Sequence, residues 1–201
     1  SDRYIEYYFA SVWGGGAMMP MNIRWAVAEC VYALNDAGAE ILIVDDAFKG
    51  IAVEIKLQVP GLKTLIYCGD GETPEGMENY QDIVASSAAT EDAGRGGDDL
   101  AGIFYTGGTT GFPKGVMLSH TNLYVGGVAN AHELNMREGT VYLHAAPMFH
   151  IADLLYFAAL IYSNYNIFHQ MTQTHISSLQ NNFAHWRRPF LFKSMFISPI
   201  F

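Results

Sequence analysis

The sequence predicts an α/β domain in which alternating helices pack against a largely parallel sheet, and three observations carry that expectation. Two short apolar runs suited to buried strands, Glu40 to Val44 and Leu62 to Cys68, each follow a stretch with helical spacing, Arg24 to Ala37 and Phe48 to Val59. Gly38 and Pro60-Gly61 stand where those two helices should stop. The chain has 201 residues, half of them hydrophobic and only 15% charged, which suits one globular domain or part of a larger one.

Taken in order, Tyr4 to Trp13 is aromatic-rich and helix-like, and Gly14-Gly15-Gly16 ends it. Ala17 to Met21 reads as a short strand before Asn22 turns the chain. Within Arg24 to Ala37 the apolar positions Trp25, Val27, Ala28, Val31 and Leu34 share a helical face. Asp45-Asp46 closes the first strand, and Gly69 to Met77 is a polar loop leading to a short helix over Asn79 to Ser87. Thr90 to Asp99, acidic and glycine-rich, reads as a linker. Beyond residue 114, Gly115 to Leu118 is a strand, Ser119 caps a helix through about Leu134, Thr140 to Ala146 is a strand, and an apolar helix starts at Ile151. There is no internal repeat.

Composition excludes some functions. A net charge of -9 with 11 Lys and Arg argues against a nucleic-acid surface, which needs clustered cations. Leu154 to Tyr162 is the longest apolar run, and nine residues are too few to cross a bilayer. Ser1-Asp2-Arg3-Tyr4 lacks the pattern of a signal peptide, so a cytoplasmic setting is expected. Cys30 and Cys68 lie far apart in apolar contexts, with neither metal nor disulfide spacing. The histidines His132, His144, His169, His175 and His185 show no ligand spacing, so no metal site is expected.

The chemistry concentrates between Ile103 and Gly115, IFYTGGTTGFPKG. An apolar run, Leu100 to Tyr105, breaks into small and hydroxylated residues that end in Pro113 and one cation, Lys114. Gly107, Gly108 and Gly111 free backbone N–H groups to face an anion; Thr106, Thr109 and Thr110 add hydroxyl donors and Lys114 adds charge. Walker A spacing is absent, because Pro113 precedes the lysine and no helix follows directly. A strand, loop, strand arrangement is the expectation.

Those twelve positions, Ile103 to Lys114, resemble the phosphate-binding signature of the AMP-binding, adenylate-forming enzymes: acyl-CoA synthetases, luciferases and peptide-synthetase adenylation domains. Trp13 to Arg24, WGGGAMMPMNIR, resembles the family's glycine-rich turn before Pro-x-Asn, and Ala146 to Ile151, APMFHI, resembles the motif whose aromatic-His pair lines the acyl pocket. The wording FYTGGTTGFPKGVMLSH is most similar to fatty-acyl or aryl-acid CoA ligases. The resemblance implies a partial N-terminal domain of an acyl-CoA synthetase-like fold over residues 1–162, and an ATP-dependent ligase that adenylates a carboxylate and transfers the acyl group to CoA. It implies ATP, Mg2+ and CoA as cofactors and co-substrates, and a fatty or aryl carboxylic acid as substrate. Lys114 would meet the β- and γ-phosphates of ATP, Thr106 to Gly111 would cradle them, and Phe149 and His150 would line the acyl pocket. For His150 two readings stay open, a group that orients the acyl carboxylate and a satisfied residue at an apolar helix start.

The sequence departs from the family after Asp153, beyond which it has no Asp or Glu. The later Tyr-Gly-x-Thr-Glu segment, the ribose-binding Asp and the C-terminal lysine of the family are not in it, and residues 163–201 form an atypical tail without family pattern. The expectation is therefore a fragment, inactive alone, with a C-terminal half as a further partner. A non-catalytic nucleotide- or partner-binding module, or half of a split enzyme, is the alternative.

Overall fold

The computed structural model describes residues 2–107, 112–137, 140, 146–162 and 198–199. The elements run α1 (Asp2–Trp13), α2 (Val27–Asp36), β1 (Ile41–Val44), α3 (Lys49–Gln58), β2 (Thr64–Tyr67), β3 (Glu78–Asn79), α4 (Tyr80–Ser86), β4 (Leu100–Thr106), β5 (Lys114–Ser119), α5 (His120–Glu133), α6 (Ile151–Tyr162) and β6 (Ser198–Pro199). Strands β3, β2, β1 and β6 form a four-stranded sheet in that order, with every pairing parallel.

The two faces of this sheet follow from the period of two along each strand. Leu42, Val44 and Leu65 face one way, into a core with Cys30, Ala33 and Leu34 of α2 and Ala52 and Ile55 of α3. Ile43 and Ile66 face the other way, into a core of Tyr4, Tyr7 and Tyr8 from α1, Tyr80 from α4, and Leu154 and Phe157 from α6. Both faces are covered, which is why the strands read as unbroken apolar runs and not as alternating ones. Leu34, Leu42, Ile55 and Ile66 are wholly buried, each contributing on the order of 1.5–3 kcal/mol of transfer free energy.

Strands β4 and β5 form a separate antiparallel ribbon, with Thr106 opposite Lys114 and Tyr105 opposite Gly115. The seven residues between them are too few for the crossover that a parallel pair requires. Phe104 enters the tyrosine-rich core and Tyr105 packs on the other, so successive residues of β4 tie the ribbon to both layers.

Several boundaries differ from the sequence reading for local reasons. Helix α2 starts at Val27 and not at Arg24: Asn22 accepts the Arg24 N–H at 3.0 Å in an Asx turn, and Glu29 accepts the Ala26 N–H at 2.9 Å. Ala17 to Met21 forms isolated bridges and not a strand, Met18 pairing in parallel with Gly102, and Pro20 has no N–H with which to extend a ladder. Asn79 does not join α4 but caps it, accepting from Gln81 and Asp82 N–H. The glycine-rich connector is fastened at its start: Ala93 N–H donates to Trp13 O at 3.0 Å and the Trp13 indole donates to Thr90 O at 3.1 Å. Gly38 does end α2's turn with a left-handed φ of 63°. Ser119 caps α5, accepting the Asn122 N–H at 3.2 Å. The strand expected over Thr140 to Ala146 lies outside the described residues except at its two ends, as does the tail except at 198–199.

Candidate functional site

The ribbon brings Thr106 and Lys114 together as its last cross-strand pair. The Thr106 hydroxyl donates to Lys114 O at 3.4 Å, and the side chains of Thr106 and Lys114 and the whole of Gly107 are exposed. Among the described residues, a Cβ on Gly107 would meet nothing within 4 Å. Gly115 is different: a Cβ would come within 2.8 Å of Ile103 Cγ2 and 3.0 Å of Tyr105 Cζ. Glycine at 115 therefore lets the Tyr105 ring lie across the ribbon. Gly108, Thr109, Thr110 and Gly111 lie outside the described residues.

Helix α2 carries the contacts at both ends of this loop. The Tyr105 hydroxyl donates to Asp36 Oδ2 at 2.6 Å and lies 3.2 Å from Ala33 O. Burial, and then the Asp36 carboxylate, push the Tyr105 hydroxyl well above its ordinary pKa, so it acts as a hydrogen-bond donor at neutral pH. Trp25 meets the Tyr105 ring edge-on at 6.0 Å. On the far side, the Phe112 ring stacks on Tyr32 with centroids 4.5 Å apart and planes at 21°. Pro113 is buried between Phe112 and Lys114.

Phe149 and His150 belong to a second segment, held on α1. Tyr8 donates its hydroxyl to Met148 O, and Met148 and Phe149 pack half-buried against the tyrosine-rich core. His150 directly precedes α6 and is exposed; its Nδ1 accepts the Ala152 N–H at 3.2 Å, and its carbonyl accepts from Asp153 and Leu154 N–H. That is a helix-capping geometry, made through Nδ1 and the carbonyl. Helix α5, which follows β5, packs along α6 through Gly126 against Leu155 and Gly127 against Ala158. The two segments are thus joined through α5.

Other acids and thiols have structural surroundings. Asp46 accepts from Lys49 Nζ at 2.8 Å, from the Tyr67 hydroxyl at 2.5 Å and from the Asp70 N–H at 2.9 Å, which together hold its carboxyl well below the usual range. Burial pushes the Cys30 and Cys68 thiols up to about 11; Cys30 is fully buried and Cys68 half-buried. Among the described residues no three His, Cys, Asp or Glu side chains gather where they could hold a metal ion. Sequence reasoning overlooked Trp25, Tyr32, Asp36 and Phe112. The i, i+4 spacing of Tyr32 and Asp36 put them on one helical face, but nothing local revealed that the loop would land there.

A family profile described as AMP-binding enzyme matches residues 1–176. The chain belongs to the AMP-binding enzyme family. It is 29% identical over 161 residues to the 4-hydroxybutyrate–CoA ligase 2 of Metallosphaera sedula, covering 75% of this chain and 29% of that protein. With the feruloyl-CoA synthase of an Amycolatopsis species it shares 33% identity over 155 residues, covering 75% of this chain and 28% of that one. The solved structure of ATP-bound MatB from Rhodopseudomonas palustris superposes with a TM-score of 0.63 at 28% identity, over 100% of this chain and 33% of the other. This AMP-binding chain thus spans under a third of the length of the curated relatives that it matches, and its parallel sheet and ribbon are those of the N-terminal domain of acyl-CoA synthetases. No helix among the described residues is long and apolar enough to cross a membrane.

Proposed function

We propose that this chain is the N-terminal part of an ATP-dependent acid–CoA ligase and that the β4–β5 hairpin is its ATP phosphate loop. The observation that carries the reading is the hairpin itself, whose last pair sets an exposed hydroxyl, Thr106, beside an exposed cation, Lys114, at the mouth of a glycine-threonine loop. Lys114 would neutralise the β- and γ-phosphates, and Thr106 and the backbone from Gly107 would donate to phosphate oxygens, as would Gly108, Thr109, Thr110 and Gly111. In the reaction proposed, a carboxylate oxygen attacks the α-phosphorus, the bond to pyrophosphate breaks and an acyl-adenylate forms. The CoA thiol then replaces AMP at the acyl carbon. Lys114 acts where charge builds on the departing pyrophosphate. Magnesium would travel with the nucleotide, and none of the described carboxylates is assigned to it.

Phe149 would form an acyl-pocket wall and His150 would orient the acid through Nε2. The relatives named for 4-hydroxybutyrate and for ferulate support a fatty or aryl carboxylate as the acid. We expect the 201 residues by themselves to bind nucleotide without turning over, since the later Thr, Glu and Lys that the family resemblance implies are not among them. Val116, Met117, Tyr124 and Val125 are all exposed on β5 and α5, and this favours a second reading, half of a split ligase or a partner-binding module. Co-purification of a second chain separates that reading from the first.

Calorimetric titration with MgATP, comparing the chain with Lys114→Ala, tests the phosphate loop. Losing one charge-assisted contact of about 1.5–3 kcal/mol should weaken binding roughly tenfold or more. Equal affinity in both proteins would remove the loop from the nucleotide site.

A further inference from the structure

Phe112 is 62% exposed, and one face of its ring lies flat on Tyr32. At the other end of the loop, Tyr105 is tied to Asp36 and Ala33. Tyr32, Ala33 and Asp36 sit within little more than one turn of the same helix, α2, so both ends of the loop land on one patch of one rigid element. Trp25, just ahead of that helix, closes the patch against Tyr105. The ladder alone already fixes Thr106 opposite Lys114; an aromatic stack two residues before Lys114 is additional restraint.

We propose that the outer face of α2 is the seat of the loop, and that Tyr32 and Asp36, outside the motif, are positioning residues for it, with Phe112 as the side chain that docks. This rests on the reading of the hairpin as a phosphate loop. Each anchored end restrains residues that flank the loop before an anion binds, so less of the binding free energy is spent on positioning them. The ring at 112 therefore presets Lys114 and the loop backbone, and its removal weakens phosphate binding without touching a donor. Tyr32 also packs on the core, whereas Phe112 does not, so substitutions at 112 separate seating from folding.

Trypsin supplies a readout that does not need nucleotide. In the 201-residue chain, cleavage after Lys114 is timed against cleavage after Arg95, an exposed residue of the 90–99 connector, by mass spectrometry of the fragments. Rates are normalised to peptides spanning residues 109–118, with residue 112 matched to that of the protein tested. Phe112→Leu, which keeps bulk and loses the ring, is expected to raise the Lys114-to-Arg95 ratio roughly two- to tenfold, the range of one aromatic pair. Phe112→Tyr and Tyr32→Phe keep both rings and should hold the ratio at the starting value. In a second arm MgATP should protect Lys114, with an apparent affinity weaker by a similar factor in Phe112→Leu. Equal ratios in Phe112→Leu and the unsubstituted chain overturn the seat, whatever MgATP does. A ring-dependent ratio with no MgATP protection in any protein keeps the seat and refutes the nucleotide reading. A ring-dependent ratio with equal or tighter MgATP affinity in Phe112→Leu overturns the positioning role.

Discussion

Gly102→Ala is the substitution by which the structure is most directly exposed to test, because Gly102 lies where the chain before α2 is stitched to β4. Met18 N–H donates to Ala101 O at 2.9 Å and Ile103 N–H donates to Met18 O at 2.8 Å, so the Met18 backbone passes directly over Gly102. A Cβ at 102 would stand 2.7 Å from Met18 Cγ, 2.8 Å from Phe104 Cε2 and 2.9 Å from Met18 O. Carbon atoms in contact rest about 3.5–4.0 Å apart, so all three approaches are too close. Met18 is 1% exposed and Phe104 6%, which leaves neither side chain room to swing away, and Met18 O is backbone. Overpacking of this kind costs about 1–3 kcal/mol, and loosening the two bridge hydrogen bonds adds about 1 kcal/mol each. Replacing glycine returns roughly 0.5–1 kcal/mol of unfolded-state entropy, for a net loss of about 2–4.5 kcal/mol. For a chain of this size that is a fall in Tm of roughly 4–18 °C, read by far-UV circular dichroism. Gly50→Ala is the control, since a Cβ at Gly50 in α3 meets nothing within 4 Å and should leave Tm unchanged or raise it. A Gly102→Ala melting point within about 2 °C of the original chain would show that the 18–102 seam is not packed as described.

Two other perturbations follow from the helices. The neighbours Gly126 and Gly127 should respond in opposite senses to alanine: a Cβ at 126 meets the mobile tip of Leu155 at 2.6 Å, while one at 127 meets Ala158 Cβ at 2.9 Å and its backbone carbon at 3.0 Å. Thermal melts should show Gly126→Ala neutral or stabilised and Gly127→Ala destabilised by roughly 1–3 kcal/mol, the opposite order refuting the α5–α6 packing. Glu6 of α1 accepts the Tyr80 hydroxyl at 2.7 Å in a largely buried setting; burial raises its pKa above the ordinary value, Tyr80 lowers it, Asp2 raises it further and Arg3 lowers it. A carboxyl with a raised folded pKa stabilises fully below the unfolded value, and that stability is lost as pH rises through the folded value. Glu6→Gln keeps an acceptor for Tyr80 and removes the titration. Urea unfolding should therefore show it equal to the original chain near pH 4 and more stable at pH 7, and a gap independent of pH would refute the assignment.

The layered sheet was legible because its signals are local. ILIV at 41–44 is too short for a helix, too apolar for a surface strand and closed by Asp45-Asp46, and Gly38 supplied the left-handed residue that the end of α2 needs. Ser119 likewise announced its helix through its own side chain. Other features were hidden because the partner lies far along the chain. Asp46 looked like an idle strand-end acid, but Tyr67 and the Asp70 N–H, more than twenty residues away, make it the clamp on the turn after β2. The 90–99 connector looked like a free linker, and its tether is the backbone and indole of Trp13. Neither tether leaves a mark on the composition of the segment that it holds.

The same distinction separates what the phosphate motif encodes from what holds it. Chemistry is local: glycines, hydroxyls and a cation must be close neighbours to surround one anion, so a short string of sequence contains them all. Position is not local, because a loop's ends are fixed by whatever the fold places beneath them. Here Tyr105 reaches Asp36 across 69 residues of sequence, and Phe112 reaches Tyr32 across a comparable span. A different helix in place of α2 could leave every residue of the motif unchanged and still move Lys114. On the proposed reading, the affinity of such a loop is set jointly, by donors that the motif carries and by a seat that only the three-dimensional fold supplies, so a substitution on α2 would weaken phosphate binding without altering the motif itself.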